Sequence, residues 1–134
     1  MRLPRAVYGA ALCVCFSSIL SAQDAAKVDA KHYTVLSENA EVRILKVHYG
    51  PHEKSVMHHH PAGVAVFLTD SKARFTFPDG KTEDVASKAG DAQYTPAVTH
   101  LPENLGDSGM DVIVIELKGH AAKAVKSEMK SEMK

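Results

Sequence analysis

The sequence predicts an all-β domain, a small antiparallel β-barrel of short strands, and three observations carry that expectation. Short segments rich in β-branched and aromatic residues recur along most of the chain. Turn formers separate them, as at Gly50-Pro51, Pro61-Ala62-Gly63, Pro78-Asp79-Gly80 and Gly106-Asp107-Ser108-Gly109. No convincing helix lies between the segments, and many short strands at close spacing make a sandwich or a barrel.

Taken in order, Asp24 to Lys31 is small, polar and charged and reads as a flexible lead-in. The domain then runs from His32 to Lys118. His32 to Leu36, Val42 to Tyr49, Ser55 to His60 and Val64 to Thr69 each read as a strand. Ala73, Phe75 and Phe77 alternate with Arg74 and Thr76, a period of two that puts the apolar residues on one face. Pro78-Asp79-Gly80 supplies a hairpin turn into Lys81 to Val85. Further strands are expected at Asp91 to Thr95, Val98 to Leu101 and, most clearly, Met110 to Leu117. From Gly119 to Lys134 the composition changes to Ala, Lys, Ser, Glu and Met and ends in a short tandem repeat, which reads as a solvated tail.

The 134 residues and 14.5 kDa fit one domain, and a 45% hydrophobic, 24% charged composition is that of an ordinary globular chain. With a formal net charge of +0, nothing draws the chain to nucleic-acid phosphates or to an anionic membrane surface. The N-terminus is more informative. Arg2 and Arg5 precede an apolar stretch from Ala6 to Leu20, followed by the small residues Ser21 and Ala22, the layout of a secretory signal peptide over residues 1–23. The stretch is short of the roughly 20 predominantly apolar residues that cross a bilayer. The expected location is therefore secreted or periplasmic. Both cysteines, Cys13 and Cys15, fall inside this signal, so the processed chain would hold no disulfide and would depend on packing or on a bound metal.

The chain has eight histidines, and four cluster between His52 and His60. In a strand, His58 and His60 share a face while His59 takes the other. Two imidazoles at alternate positions can meet one ion, each offering a neutral ring nitrogen. His100, in an expected strand shortly after Pro96, is the best candidate for a third ligand. His32, His48 and His120 have no comparable context. The plainer reading is a polar surface run at residues 58–60, and an HxH pattern alone does not decide between the two.

The surrounding residues resemble the cupin family. Its first motif holds HxH followed by a glutamate and another strand; here His58-His59-His60-Pro61-Ala62-Gly63 runs into Val64-Ala65-Val66-Phe67-Leu68. Its second runs from glycine through proline to histidine and asparagine; here Gly90 leads to Pro96, then His100 and Asn104. The resemblance spans about His32 to Lys118 and implies a jelly-roll barrel with a divalent metal held at its mouth by His58, His60 and His100. Two departures stand out. The family's glutamate ligand would fall at or next to Val64, and the loop between Pro96 and His100 is one residue short, with Val98 where glycine is common. Gln93, Glu53 and His52 are candidates for a further ligand, and Tyr94 and Glu103 flank the second motif.

Three imidazoles would leave two or three coordination positions open, as a catalytic site requires. Imidazole suits zinc, copper, iron and nickel, so ligand type does not choose among them, and manganese stays open as well. Without a protein carboxylate among its ligands the ion would favour anionic or bidentate oxygen groups on a small organic molecule. Oxygenation, isomerisation and lyase chemistry are all compatible, and no general base is legible. The competing reading is a non-catalytic binding or structural barrel with a degenerate metal site. Exposed sheet edges, together with the family resemblance, are compatible with a homodimer.

Overall fold

The structure, a computed structural model, describes residues 23–119 and Lys130. The expected signal peptide apart from Gln23, with both cysteines, and the expected tail apart from Gly119 and Lys130 lie outside the described residues. Among the described residues, a short helix, α1 (Ala25–Val28), precedes nine strands: β1 (Tyr33–Glu38), β2 (Val42–Tyr49), β3 (His58–His60), β4 (Gly63–Phe67), β5 (Ser71–Thr76), β6 (Thr82–Ser87), β7 (Ala92–Thr95), β8 (Val98–Asn104) and β9 (Met110–Leu117). They form a five-stranded sheet in the order β1-β2-β9-β4-β7 and a four-stranded sheet in the order β3-β8-β5-β6. Every pairing between named strands is antiparallel. The expected small antiparallel barrel of jelly-roll type is present as two facing sheets that do not close, since among the described residues no ladder joins an edge of one sheet to an edge of the other.

Period-two patterning builds the interior. β2 and β9 pair along their whole length, from Val42 opposite Leu117 to Tyr49 opposite Met110. Leu45, Val47 and Tyr49 face inward from β2, Met110 and Val112 from β9, and Ala65 and Phe67 from β4. Ala73 of β5 joins them from the other sheet. Burying a side chain the size of Leu45 contributes about 1.5–3 kcal/mol. The β5–β6 hairpin turns as expected: the Gly80 N–H donates to the Phe77 carbonyl at 2.9 Å, and Gly80 takes a φ of 82° that glycine tolerates.

β4 approaches β9 so closely at Gly63 that a Cβ there would stand 2.3 Å from the Ile115 carbonyl oxygen. This residue lies directly opposite Glu116, so the missing side chain lets a buried carboxylate stand beside the β3–β4 turn. β8 runs on to Asn104, past the expected end at Leu101. Pro102 is tolerated there because its carbonyl still accepts from the Ser55 N–H at 2.9 Å, while it has no N–H of its own to satisfy.

The expected flexible lead-in is also corrected. Asp24 caps α1 by accepting from the Lys27 N–H at 3.2 Å, Ala25 is fully buried, and Asp24 pairs with Arg43 of β2 at 2.6 Å. The His59 N–H donates to the Gln23 carbonyl at 2.7 Å, and Asp24 bridges His59 in parallel, so this segment covers the outer edge of β3. Long-range contacts order it, although its composition is polar.

Candidate metal centre

β3 and β8 deliver the three candidate histidines. His58 lies opposite His100 in the β3–β8 ladder, while β3 alternation puts His58 and His60 inward, 1% and 7% exposed, and turns His59 away to bond Thr99. The candidate ligand nitrogens of His58, His60 and His100 all lie within 4.8 Å of one another. The rings are held in place. His58 and His60 meet edge to face at 4.8 Å, Phe75 stacks on His100 at 4.9 Å, and Tyr33 covers His58 at 4.9 Å.

The outer nitrogens fix which nitrogen is free. His60 Nδ1 stands 2.7 Å from Glu116 Oε1, and His58 Nδ1 stands 2.8 Å from the Val56 carbonyl. Each of those partners can only accept, since burial alone would raise the Glu116 pKa but hydrogen bonds from His60 and Arg43 outweigh it and hold the group below its usual range. Both Nδ1 atoms therefore donate, and in the neutral rings both Nε2 atoms carry lone pairs. The two Nε2 atoms lie 3.1 Å apart, and His100 Nε2 is buried with no partner among the described residues. A divalent cation between them would give all three a partner. Two nitrogens that share one ion at bonds of about 2.0–2.1 Å and angles of roughly 90–110° lie about 2.9–3.4 Å apart. The spacing fits.

Behind this cluster stand two carboxylates that the sequence reading did not assign. Glu116, 2% exposed, bonds His60 with one oxygen and Arg43 with the other at 2.6 Å. Asp29 accepts from Ser55 Oγ at 2.5 Å and pairs with His32 Nδ1 at 2.7 Å, while Ser55 Oγ lies 3.3 Å from His58 Nδ1. A signal for Glu116 was present: it is the lone charge in the run Val112-Ile113-Val114-Ile115-Glu116-Leu117 and has the parity of the inward residues Met110 and Val112.

The further candidates fall elsewhere. Val64 leaves the family's carboxylate position without a ligand, and no other described carboxylate joins the three-histidine group. Glu53 is taken up by Lys31, the Gly50 N–H and His32, and its pKa is pulled down to about 2, chiefly by the Lys31 hydrogen bond. His52 is exposed and pairs with Asp107. Glu103 stands opposite Arg74 in the β5–β8 ladder. Asn104, 1% exposed, donates to the Gly50 and Ser108 carbonyls and accepts from the Gly106 N–H, so it ties two loops together. Gln93 and Tyr94 border a cavity of about 410 Å³ between the sheets, onto which His60 and His100 also open.

Burial, then the charge of neighbouring histidines, pushes the His58 pKa down to about 4 and that of His100 to about 3. Both rings are therefore neutral near pH 7, with lone pairs free for an ion. The same shifts make the metal-free protein acid-sensitive. The unfolded chain takes up these protons near pH 6.5, whereas the folded chain resists them until pH 3–4, so stability from this pair is complete above pH 6.5 and is lost as pH falls. Thermal unfolding of metal-free protein should show a midpoint that drops steadily from pH 7 to pH 4. A midpoint flat across that window would contradict the burial of neutral imidazoles.

The two facing sheets, with three histidines converging between them, define the cupin fold, the double-stranded β-helix of the RmlC-like type. Solved structures with this fold are similar to the chain. A cupin domain from Bordetella pertussis matches with a TM-score of 0.61 at 24% identity, over 65% of this chain and 92% of that one. An RmlC-like cupin family protein from Methanocaldococcus jannaschii matches with a TM-score of 0.52 at 19% identity, over 73% of this chain and 89% of that one. A conserved protein with a double-stranded β-helix domain from Klebsiella pneumoniae matches with a TM-score of 0.52 at 19% identity, over 66% and 77%. No protein-family profile and no curated protein matches the chain by sequence.

Proposed function

We propose that this chain is an exported, metal-dependent cupin that holds one divalent ion with His58, His60 and His100 and acts on a small organic molecule through oxygen donors. The observation that carries this reading is the convergence of three buried histidine nitrogens, two of them 3.1 Å apart and the third with no partner among the described residues. When bound, a divalent ion supplies Lewis acidity toward oxygen groups. The protein's own part is positional. Glu116 and the Val56 carbonyl fix the tautomers of His60 and His58, Phe75 braces His100, and Arg43 keeps Glu116 ionised. Because no carboxylate belongs to the ligand set, the ion keeps its double charge and favours a ligand that brings negative or bidentate oxygen. The arginines and apolar stretch of residues 2–20 support export.

Elemental analysis of the mature protein, purified without a polyhistidine tag, tests the centre. About one equivalent of a divalent metal per chain is expected. Protein that stays metal-free after incubation with zinc, iron, manganese, nickel and copper salts in turn would end the proposal.

A further inference from the structure

The cavity beside the histidines narrows the choice of ligand. Its volume of about 410 Å³ falls in the range of small-molecule sites, about 300–1,000 Å³. Side chains from both sheets wall it, among them Phe67, Phe75, Phe77, Val85, Val98 and Val112. Tyr33 and Tyr49 also border it, and their hydroxyls are engaged with each other in one hydrogen bond at 2.8 Å. The remaining polar lining comes from Glu83 on β6 and from Gln93, Tyr94 and Thr95 on β7, which are edge strands of the two sheets, and Glu83 and Gln93 are exposed. None of the described lining residues is a lysine or an arginine.

We infer that the ligand has one chelating oxygen head, which faces His60 and His100, and an uncharged apolar body, aromatic or branched, which fills the cavity between Phe67, Phe75, Phe77 and Val112. This rests on the metal-centre reading and extends it to the part of the ligand the ion does not touch. A phosphate or second carboxylate on the body would meet no cation among the described lining residues and would lie near the Glu83 carboxylate. A sugar would leave most of its hydroxyls against hydrocarbon. An apolar body loses only its contact with water, and that is favourable.

Three 2-oxo acids with one common head test the body alone: pyruvate, phenylpyruvate and 2-oxoglutarate. Zinc, which is redox-inert, is loaded first and its content measured; each acid is then titrated into the zinc protein by calorimetry. Phenylpyruvate should bind at least about tenfold more tightly than pyruvate, with 2-oxoglutarate no tighter than pyruvate. Val85→Lys and, as a second variant, Phe77→Arg should keep their zinc, lose the preference for phenylpyruvate and gain affinity for 2-oxoglutarate. Equal binding of the three acids, tightest binding of 2-oxoglutarate, or an unchanged preference in zinc-loaded variants would overturn the inference while leaving the metal centre intact. A protein that takes up no zinc would bring down both.

Discussion

Alanine at His58 or at His100 is expected to abolish stoichiometric metal binding, while alanine at His59 leaves it intact. The contrast follows from strand geometry. His58 and His100 are cross-strand partners whose side chains lie inward, and each supplies one of only three nitrogens in the group. Removing either leaves two ligands, and affinity should fall by about a hundredfold or more, below what survives dialysis. His59 sits between two ligands in sequence but faces the other way, bonded to Thr99 at 3.1 Å. Metal content after dialysis should therefore drop from about one equivalent to near zero in the first two variants and stay near one in the third. Equal loss in all three would mean that residues 58–60 bind metal as an exposed run, and the convergent site would have to be abandoned.

The second large effect is expected at Glu116. Its carboxylate lies between His60 and Arg43 at 2.7 and 2.6 Å and is 2% exposed. Glu116→Ala strands the guanidinium in a largely buried place and frees the His60 ring to turn. Breaking such a pair typically costs about 3–5 kcal/mol, and the surviving contact between Arg43 and Asp24 places the expected loss near the lower end, about 3 kcal/mol. Denaturant unfolding of the metal-free protein would measure it. Glu116→Gln keeps an oxygen for His60 but gives up the charge, so its main effect should be on the ion: about 10–100-fold weaker binding in a chelator competition. Unchanged zinc affinity in the glutamine variant would show that His60 is oriented by its packing alone.

Much of this arrangement is legible in the residue order. β2 and β9 have the predicted bounds because both are long, apolar and framed by turn formers, and the inward parity of His58 and His60 needs only that residues 58–60 be extended. His100 is legible through the Gly90 to Asn104 motif. The side chains that hold the histidines from behind are harder to read. Arg43 and Glu116 are separated by 73 positions and meet only because β2 and β9 align them in register. Asp24 and Ala25 look like linker because what buries them, the Arg43 side chain and the edge of β3, lies elsewhere in the chain. Separation of the two sheets is likewise invisible locally, since a strand's residues do not say which edges stay unpaired.

The segment around Gln23 and Asp24 bears on where this protein can be cut. β3 is three residues long, contributes two of the three histidines, and has β8 on one side. On its other side, the clasp is the Gln23 carbonyl and the Asp24 bridge to His59. A fragment trimmed to the first long strand would keep every histidine of the cluster yet leave the strand that presents two of them fastened along one margin. Among the described residues, keeping both margins of β3 fastened therefore requires the segment from Gln23 onward, ten residues ahead of Tyr33, where the first long strand begins.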